Sequence, residues 1–366
     1  MLRLVQESYF DDAGAPGDVI SYAYDAAGNR TQRSDASGLS TYTYGDGFRL
    51  AGVSGPSPEG YTYDQDGRLA SMTRDGATRT LSFDADDRLA AVSDNGSPLA
   101  SYTHDGERRR VSADSGQRRF VVAPATGDGL ESTHLVTDGT GAVAAAYVWA
   151  GQHALMRLGP GGRSYYLTDA MGSVIALADD VGTVTADFRY DGFGNLRSAV
   201  GPAAQAPAGA GGDLRFQGGW LEESTGFYHF RARDYDPRTG LFLSRDPAEP
   251  ILLRPETLHP YRFADANPHL YTDPTGEFTL VTMNTSFSSL TQQSLVKAAL
   301  ARQIRRMAID AVQEVASNLF WNFLEGLAAD LIGIGPLFDG AEAFANSPGG
   351  PSGGHGSVFE TEVMEI

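Results

Sequence analysis

The sequence predicts a mainly β chain: repeated β-hairpins forming a curled sheet or partial β-shell, followed by an α-helical C-terminal tail. Three observations predict it. A Tyr-x-Tyr-Asp-type unit returns every 19 to 21 residues between Tyr22 and about Val111. Forty-four glycines, 18 prolines, 16 tyrosines and 18 phenylalanines supply many turns and many strand-forming aromatics. Past Phe278 the glycine turns stop between Thr291 and Glu325, and the apolar period lengthens from two to about 3.6 residues.

The repeats carry the first prediction. Tyr22-Ala23-Tyr24-Asp25-Ala26-Ala27-Gly28-Asn29-Arg30 returns around Tyr42 and Tyr44, then as Tyr61-Thr62-Tyr63-Asp64-Gln65-Asp66-Gly67-Arg68-Leu69. Further copies start at Leu81 and Tyr102. Alternation places the two aromatics on one face of a strand, Asp-x-x-Gly makes a turn, and Arg-Leu opens the return strand. One unit is therefore one hairpin. A lone hairpin is barely stable in water, so the units must pair edge to edge. Segments around Tyr165 to Val174 and Phe188 to Leu196 extend the pattern. The Ala/Gly/Pro-rich stretch from Gly201 to Gly212 reads as a flexible surface loop.

Composition excludes several functions. The net charge of −18 repels a phosphate backbone, so no nucleic acid is expected on the sheet. The run Arg108-Arg109-Arg110 reads as a solvated strand edge. With no cysteine there is no disulfide or thiolate site, and the seven scattered histidines show no metal-ligand spacing, so neither metal nor cofactor is expected. The opening residues lack the apolar stretch of a signal peptide and read like the interior of a larger repeat array.

A denser motif follows the repeats. It contains Phe216-Gln217-Gly218-Gly219-Trp220, then Arg231-Ala232-Arg233-Asp234-Tyr235-Asp236-Pro237, Arg245-Asp246-Pro247 and Tyr271-Thr272-Asp273-Pro274-Thr275-Gly276. The repeats resemble the YD repeats of the Rhs and teneurin families, and this stretch resembles the Rhs-associated core. The resemblance covers about Tyr22 to Gly276. It divides the chain into a YD-repeat region (1–200), the core (213–278), a helical segment like a pre-toxin (279–346) and a disordered end (347–366).

The resemblance implies a polymorphic-toxin shell that encloses or presents its own C-terminal segment. Its partners would be that segment and, beyond it, a secretion apparatus or an immunity protein. Synthesis would be cytoplasmic and the destination secreted or cell-surface. It also implies, at most, one enzymatic activity: an aspartyl-type core that cuts its own chain just after Asp-Pro-x-Gly. That motif maps onto Asp246 and Asp273 with Arg245, and the cut onto Glu277 and Phe278. Two carboxylates in one buried site cannot both ionise comfortably, which leaves one base for water and one acid for the leaving group. The plain alternative is that both Asp-Pro pairs start turns. This sequence departs from many cleaving members: no glycine pair lies between Asp246 and Asp273, and Glu277 stands where they carry Leu or Met.

The tail has an amphipathic stripe through Ile304, Ala308, Val312, Val315, Leu319 and Phe323. Without a continuous basic face it favours packing against protein over contact with a membrane. A rival to the enclosing role is a surface or carbohydrate-binding module. The two differ in where Tyr42, Tyr44, Tyr61, Tyr63 and Phe83 point: inward for enclosure, outward for a binding ledge.

Overall fold

The computed structural model describes residues 2–10, 15–124, 131–150, 153–248, 250, 255–277 and 280–281. The helical segment and the disordered end expected after Phe278 lie outside the described residues, apart from Leu280 and Val281.

Nineteen strands, β1 (Gln6–Phe10) to β19 (Leu196–Val200), form one antiparallel meander in which each strand pairs with the next. The repeat unit fixes the register. Tyr63 faces Leu69 across the loop Asp64–Arg68, as Tyr24 faces Arg30 and Phe83 faces Leu89, each beside a register shift. Within the loop Asp64 Oδ1 accepts from the backbone N–H groups of Asp66 (3.0 Å) and Arg68 (2.9 Å). Gly67 takes a φ of +82° there. The fourth and fifth copies lack this glycine, and Asp87 and Arg108 adopt the same left-handed conformation.

Alternation then sorts the faces. Tyr42 and Tyr61 are buried, and Tyr44, Tyr63 and Phe83 pack partly buried beside them. The aromatics therefore point inward and form no solvent-facing ledge. Outward, hydroxyls pair across strands, as in Thr62–Ser71 (2.7 Å) and Thr103–Ser112 (2.5 Å).

The meander curls back on its start. Arg197 of β19 pairs with Asp18 of β2 (Pro16–Tyr24) at 2.6 Å and lies 3.5 Å over the ring of Tyr9 of β1. Glu7 of β1 accepts from the Gly192 N–H (2.6 Å) and from the hydroxyls of Tyr22 and Tyr9. Among the described residues these are side-chain contacts only, with no backbone ladder between β1 and β19.

The interior holds a second antiparallel sheet of five short strands: β20 (Gly212–Leu214), β21 (Trp220–Glu222), β22 (Tyr228–Phe230), β23 (Arg233–Asp236) and β24 (Leu241–Phe242). Its aromatics form a cluster of Phe216, Tyr228, Phe230, Tyr235, Phe242 and Phe263, with Tyr235 and Phe263 4.4 Å apart. Trp220, Phe227 and Tyr261 pack against the inward face of the meander instead. A last hairpin pairs β25 (Tyr271–Thr272) with β26 (Leu280–Val281).

Two regions differ from the sequence reading. Gly201 to Gly212 is pinned rather than loose: the carbonyls of Ala203 and Gln205 accept from Arg157, that of Ala204 from Arg215 and that of Ala210 from Arg118. A run poor in side chains still offers every carbonyl, and inward arginines take them. The basic run also splits by strand alternation. Arg108 is exposed beside Asp86, Arg109 pairs with Asp105, and Arg110 is buried against Asp234.

Candidate functional site

An arginine reaches inward from strand after strand of the meander. Arg74 pairs with Asp236, Arg110 with Asp234 (2.7 Å), Arg118 with Glu222 (2.7 Å) and Arg157 with Asp213. Arg30 and Arg88 donate instead to the carbonyls of Thr239 and Ala232. All these acids are buried and would be costly there without a cation. Arg110, followed by His229, holds the Asp234 carboxyl well below the usual carboxylate range, against the opposing effect of burial.

The two aspartates singled out by the core motif meet at a third residue. Arg233 Nη2 lies 2.8 Å from Asp246 Oδ2 and 3.5 Å from Asp273 Oδ2. Two carboxylates on one nitrogen are near neighbours that share a cation. Arg233 is buried, stacks 3.7 Å over Phe242, and donates to the carbonyls of Pro260 (3.1 Å) and Gly276. Each aspartate also uses its other oxygen to shape its own turn. Asp246 Oδ1 accepts from the Ala248 N–H (2.9 Å), and Asp273 Oδ1 from the Glu277 N–H (3.1 Å). The turn role and the shared cation therefore coexist.

Asp273 is buried, whereas the side chain of Asp246 keeps 24% exposure. Burial raises the pKa of Asp246; Arg233 opposes that rise and the nearby Glu277 carboxylate adds to it. A proton is thus easier to place on Asp246 than on a free aspartate. Arg245 lies elsewhere. It is exposed, and its stem rests on Gly67, where an added Cβ would come within 2.8 Å of Arg245 Cδ. Arg233 is the member that sequence reasoning did not single out. Its signal was present in Arg231-Ala232-Arg233-Asp234, but nothing in the order of residues says which arginine turns toward Asp246.

Glu277 lines a cavity of about 350 Å³ together with Arg88, Trp149, Trp220, His229 and Arg231. Its N–H is fixed by Asp273, and the chain beyond it returns as β26 beside β25. Phe278 lies outside the described residues. Within the described residues no group of histidines and carboxylates is arranged to hold a metal ion, and no helix is long and apolar enough to cross a membrane.

Residues 140–269 match the Teneurin YD-shell family model. The tRNA3(Ser)-specific nuclease WapA of Bacillus spizizenii is 28% identical over 93% of this chain, which spans 13% of that protein. Toxin protein Tse5 of Pseudomonas aeruginosa is 34% identical over 32% of this chain and 8% of its own length. Among solved structures, the Tc holotoxin pore of Photorhabdus luminescens aligns with 78% of this chain and 18% of its own, at 16% identity and a TM-score of 0.40. The chain thus spans only about an eighth of the first curated relative it matches. The repeat register, the interior core sheet, the family match over residues 140–269 and the likeness to WapA and Tse5 make the chain similar to the Rhs/YD-repeat proteins.

Proposed function

We propose that this chain is the shell and core of an Rhs-type polymorphic toxin, and that the core cuts its own chain just past Gly276, at the Glu277–Phe278 or Phe278–Thr279 bond. The shell would enclose or present the segment that follows, and the protein would act as a secreted or surface-delivered toxin. The observation that carries the cleavage reading is the shared cation: Asp246 and Asp273 converge on Arg233, next to the Glu277 N–H.

The step is a hydrolysis. The ionised carboxylate takes a proton from water as the water oxygen bonds to the carbonyl carbon of Glu277 or Phe278. The carbon–nitrogen bond then breaks, and the departing nitrogen takes the proton held by the other carboxyl. Asp246 suits the acid role because burial favours its protonated form. The cut ends would remain associated through the β25–β26 pairing.

Intact-mass spectrometry under denaturing conditions tests this on freshly made protein. Wild type should give two masses that sum to the chain plus one water. Asp246→Asn and Asp273→Asn should each give one uncut mass with an unchanged β signature in circular dichroism. A single uncut mass for wild type would leave the aspartates as turn formers and Arg233 as their counter-ion.

A further inference from the structure

We propose that Arg231-Ala232-Arg233 is a register clamp that selects which peptide bond meets the aspartate pair; this rests on the self-cleavage reading above. The three consecutive residues bind three consecutive carbonyls. Arg231 Nη1 donates to Pro274, the Ala232 N–H donates to Thr275 (3.0 Å), and Arg233 Nε donates to Gly276. A slip of the bound segment by one residue would therefore break all three bonds at once.

The geometry around these bonds is built, not incidental. Arg231 sits at the turn between β22 and β23 with a φ of +47°, a conformation that L side chains rarely hold without support. Its guanidinium is anchored on the meander side as well, to the Glu131 carbonyl and to Ser132 Oγ (3.3 Å). The segment lies flush against that turn. Gly276 has a φ of +72°, and a Cβ there would collide with the Phe230 carbonyl and come within 3.1 Å of the Arg233 nitrogen. Immediately beyond it Asp273 fixes the Glu277 N–H. The clamp thus sets the residues before the cut, and the aspartate that holds the next amide belongs to the reacting pair. Arg231 and Ala232 act as positioning groups, and Arg233 joins the clamp to both carboxylates.

The full chain tests this by timed denaturing mass spectrometry on wild type, Arg231→Ala, Arg231→Lys and Gly276→Ala. The fragment masses report both the rate and the bond cut. We expect wild type to break at one bond. Arg231→Ala should slow the break by about tenfold or more and spread it over neighbouring bonds, because a charged hydrogen bond to the segment is gone. Arg231→Lys should recover part of the rate and the single site. Gly276→Ala should stop cleavage at the wild-type bond. If Arg231→Ala fails to fold, the Lys and Gly276 variants carry the comparison. Variants that all cut the wild-type bond at the wild-type rate overturn the clamp alone. An uncut wild type overturns the self-cleavage reading and the clamp with it.

Discussion

The turns of the meander satisfy themselves, whereas the acids of the core sheet draw their main counter-ions from outside it. Asp179 shows the first case: its Oδ1 accepts from the N–H groups of Val181 (3.0 Å) and Thr183 (2.8 Å) inside one loop. Asp236, Asp234 and Glu222 show the second, each paired with an arginine from a distant strand of the meander. A hairpin is therefore complete as a local unit, while the core sheet acquires its counter-ions only when the meander has curled around it. Long-range polar pairing of this kind specifies one arrangement more than it adds stability, since each ion pair must first offset two desolvations.

Breaking a junction should have the largest effect. Arg74→Met leaves Asp236 buried with its main cation gone, and it also removes a partner of Glu59 and a donor to the Tyr61 hydroxyl. We expect a loss of about 3–5 kcal/mol in urea unfolding. A double variant that also carries Asp236→Leu should regain much of it. A loss below about 1 kcal/mol for Arg74→Met alone would mean that the core does not depend on the meander for its charge balance.

A pH series sharpens the comparison from the core side. His259 is buried. It accepts at Nδ1 from the Tyr261 N–H (3.3 Å) and, as the neutral ring, donates from Nε2 to Asn29 Oδ1 (3.0 Å). Burial, reinforced by Arg262, lowers its pKa to about 3. The unfolded chain would take up this proton near pH 6.5. Between those values the unfolded state binds more protons, so stability is full above about pH 6.5 and falls as pH drops toward 3. The slope should be at most about 1.4 kcal/mol per pH unit. His259→Gln should flatten it, as read from urea midpoints at pH 7, 6 and 5. Equal slopes for the two proteins would assign the acid sensitivity to other groups.

The smallest effect belongs to a self-contained turn. Asp179→Ala removes two side-chain to backbone bonds at the surface and should cost about 1 kcal/mol, with no change in the core. Near-ultraviolet circular dichroism of the core aromatics checks the second half of that statement. A changed aromatic signal would show that turn and core are coupled.

This division also explains what was legible in the sequence. The hairpins were legible because aromatic alternation and the Asp-x-x-Gly turn act within one unit, and even Asp87 and Arg108, in place of glycine, did not hide the period. Alternation put Tyr42 and Tyr61 on one face, but that this face turns inward depends on how the whole sheet curls, which no single repeat encodes. Asp246 and Asp273 were singled out by resemblance, and their meeting at Arg233 depends on β23, β24 and the β25–β26 hairpin coming together in space. Arg110 was misread for the same reason: its fate depends on Asp234, far along the chain.

The contacts between β1 and β19 make the meander mechanically a split ring. Around the circumference neighbouring strands are laced by backbone hydrogen bonds. At the line where the ends meet, among the described residues, side chains of Glu7, Tyr9 and Asp18 on one side hold the Gly192 N–H and the Arg197 guanidinium on the other, with no strand-to-strand ladder. A load that widens the ring would concentrate there, parting these polar contacts and the packing of Tyr22 on Phe193 before any ladder yields. The wall therefore carries its own hoop strength and a predetermined line of opening, set by where the first and last hairpins happen to meet.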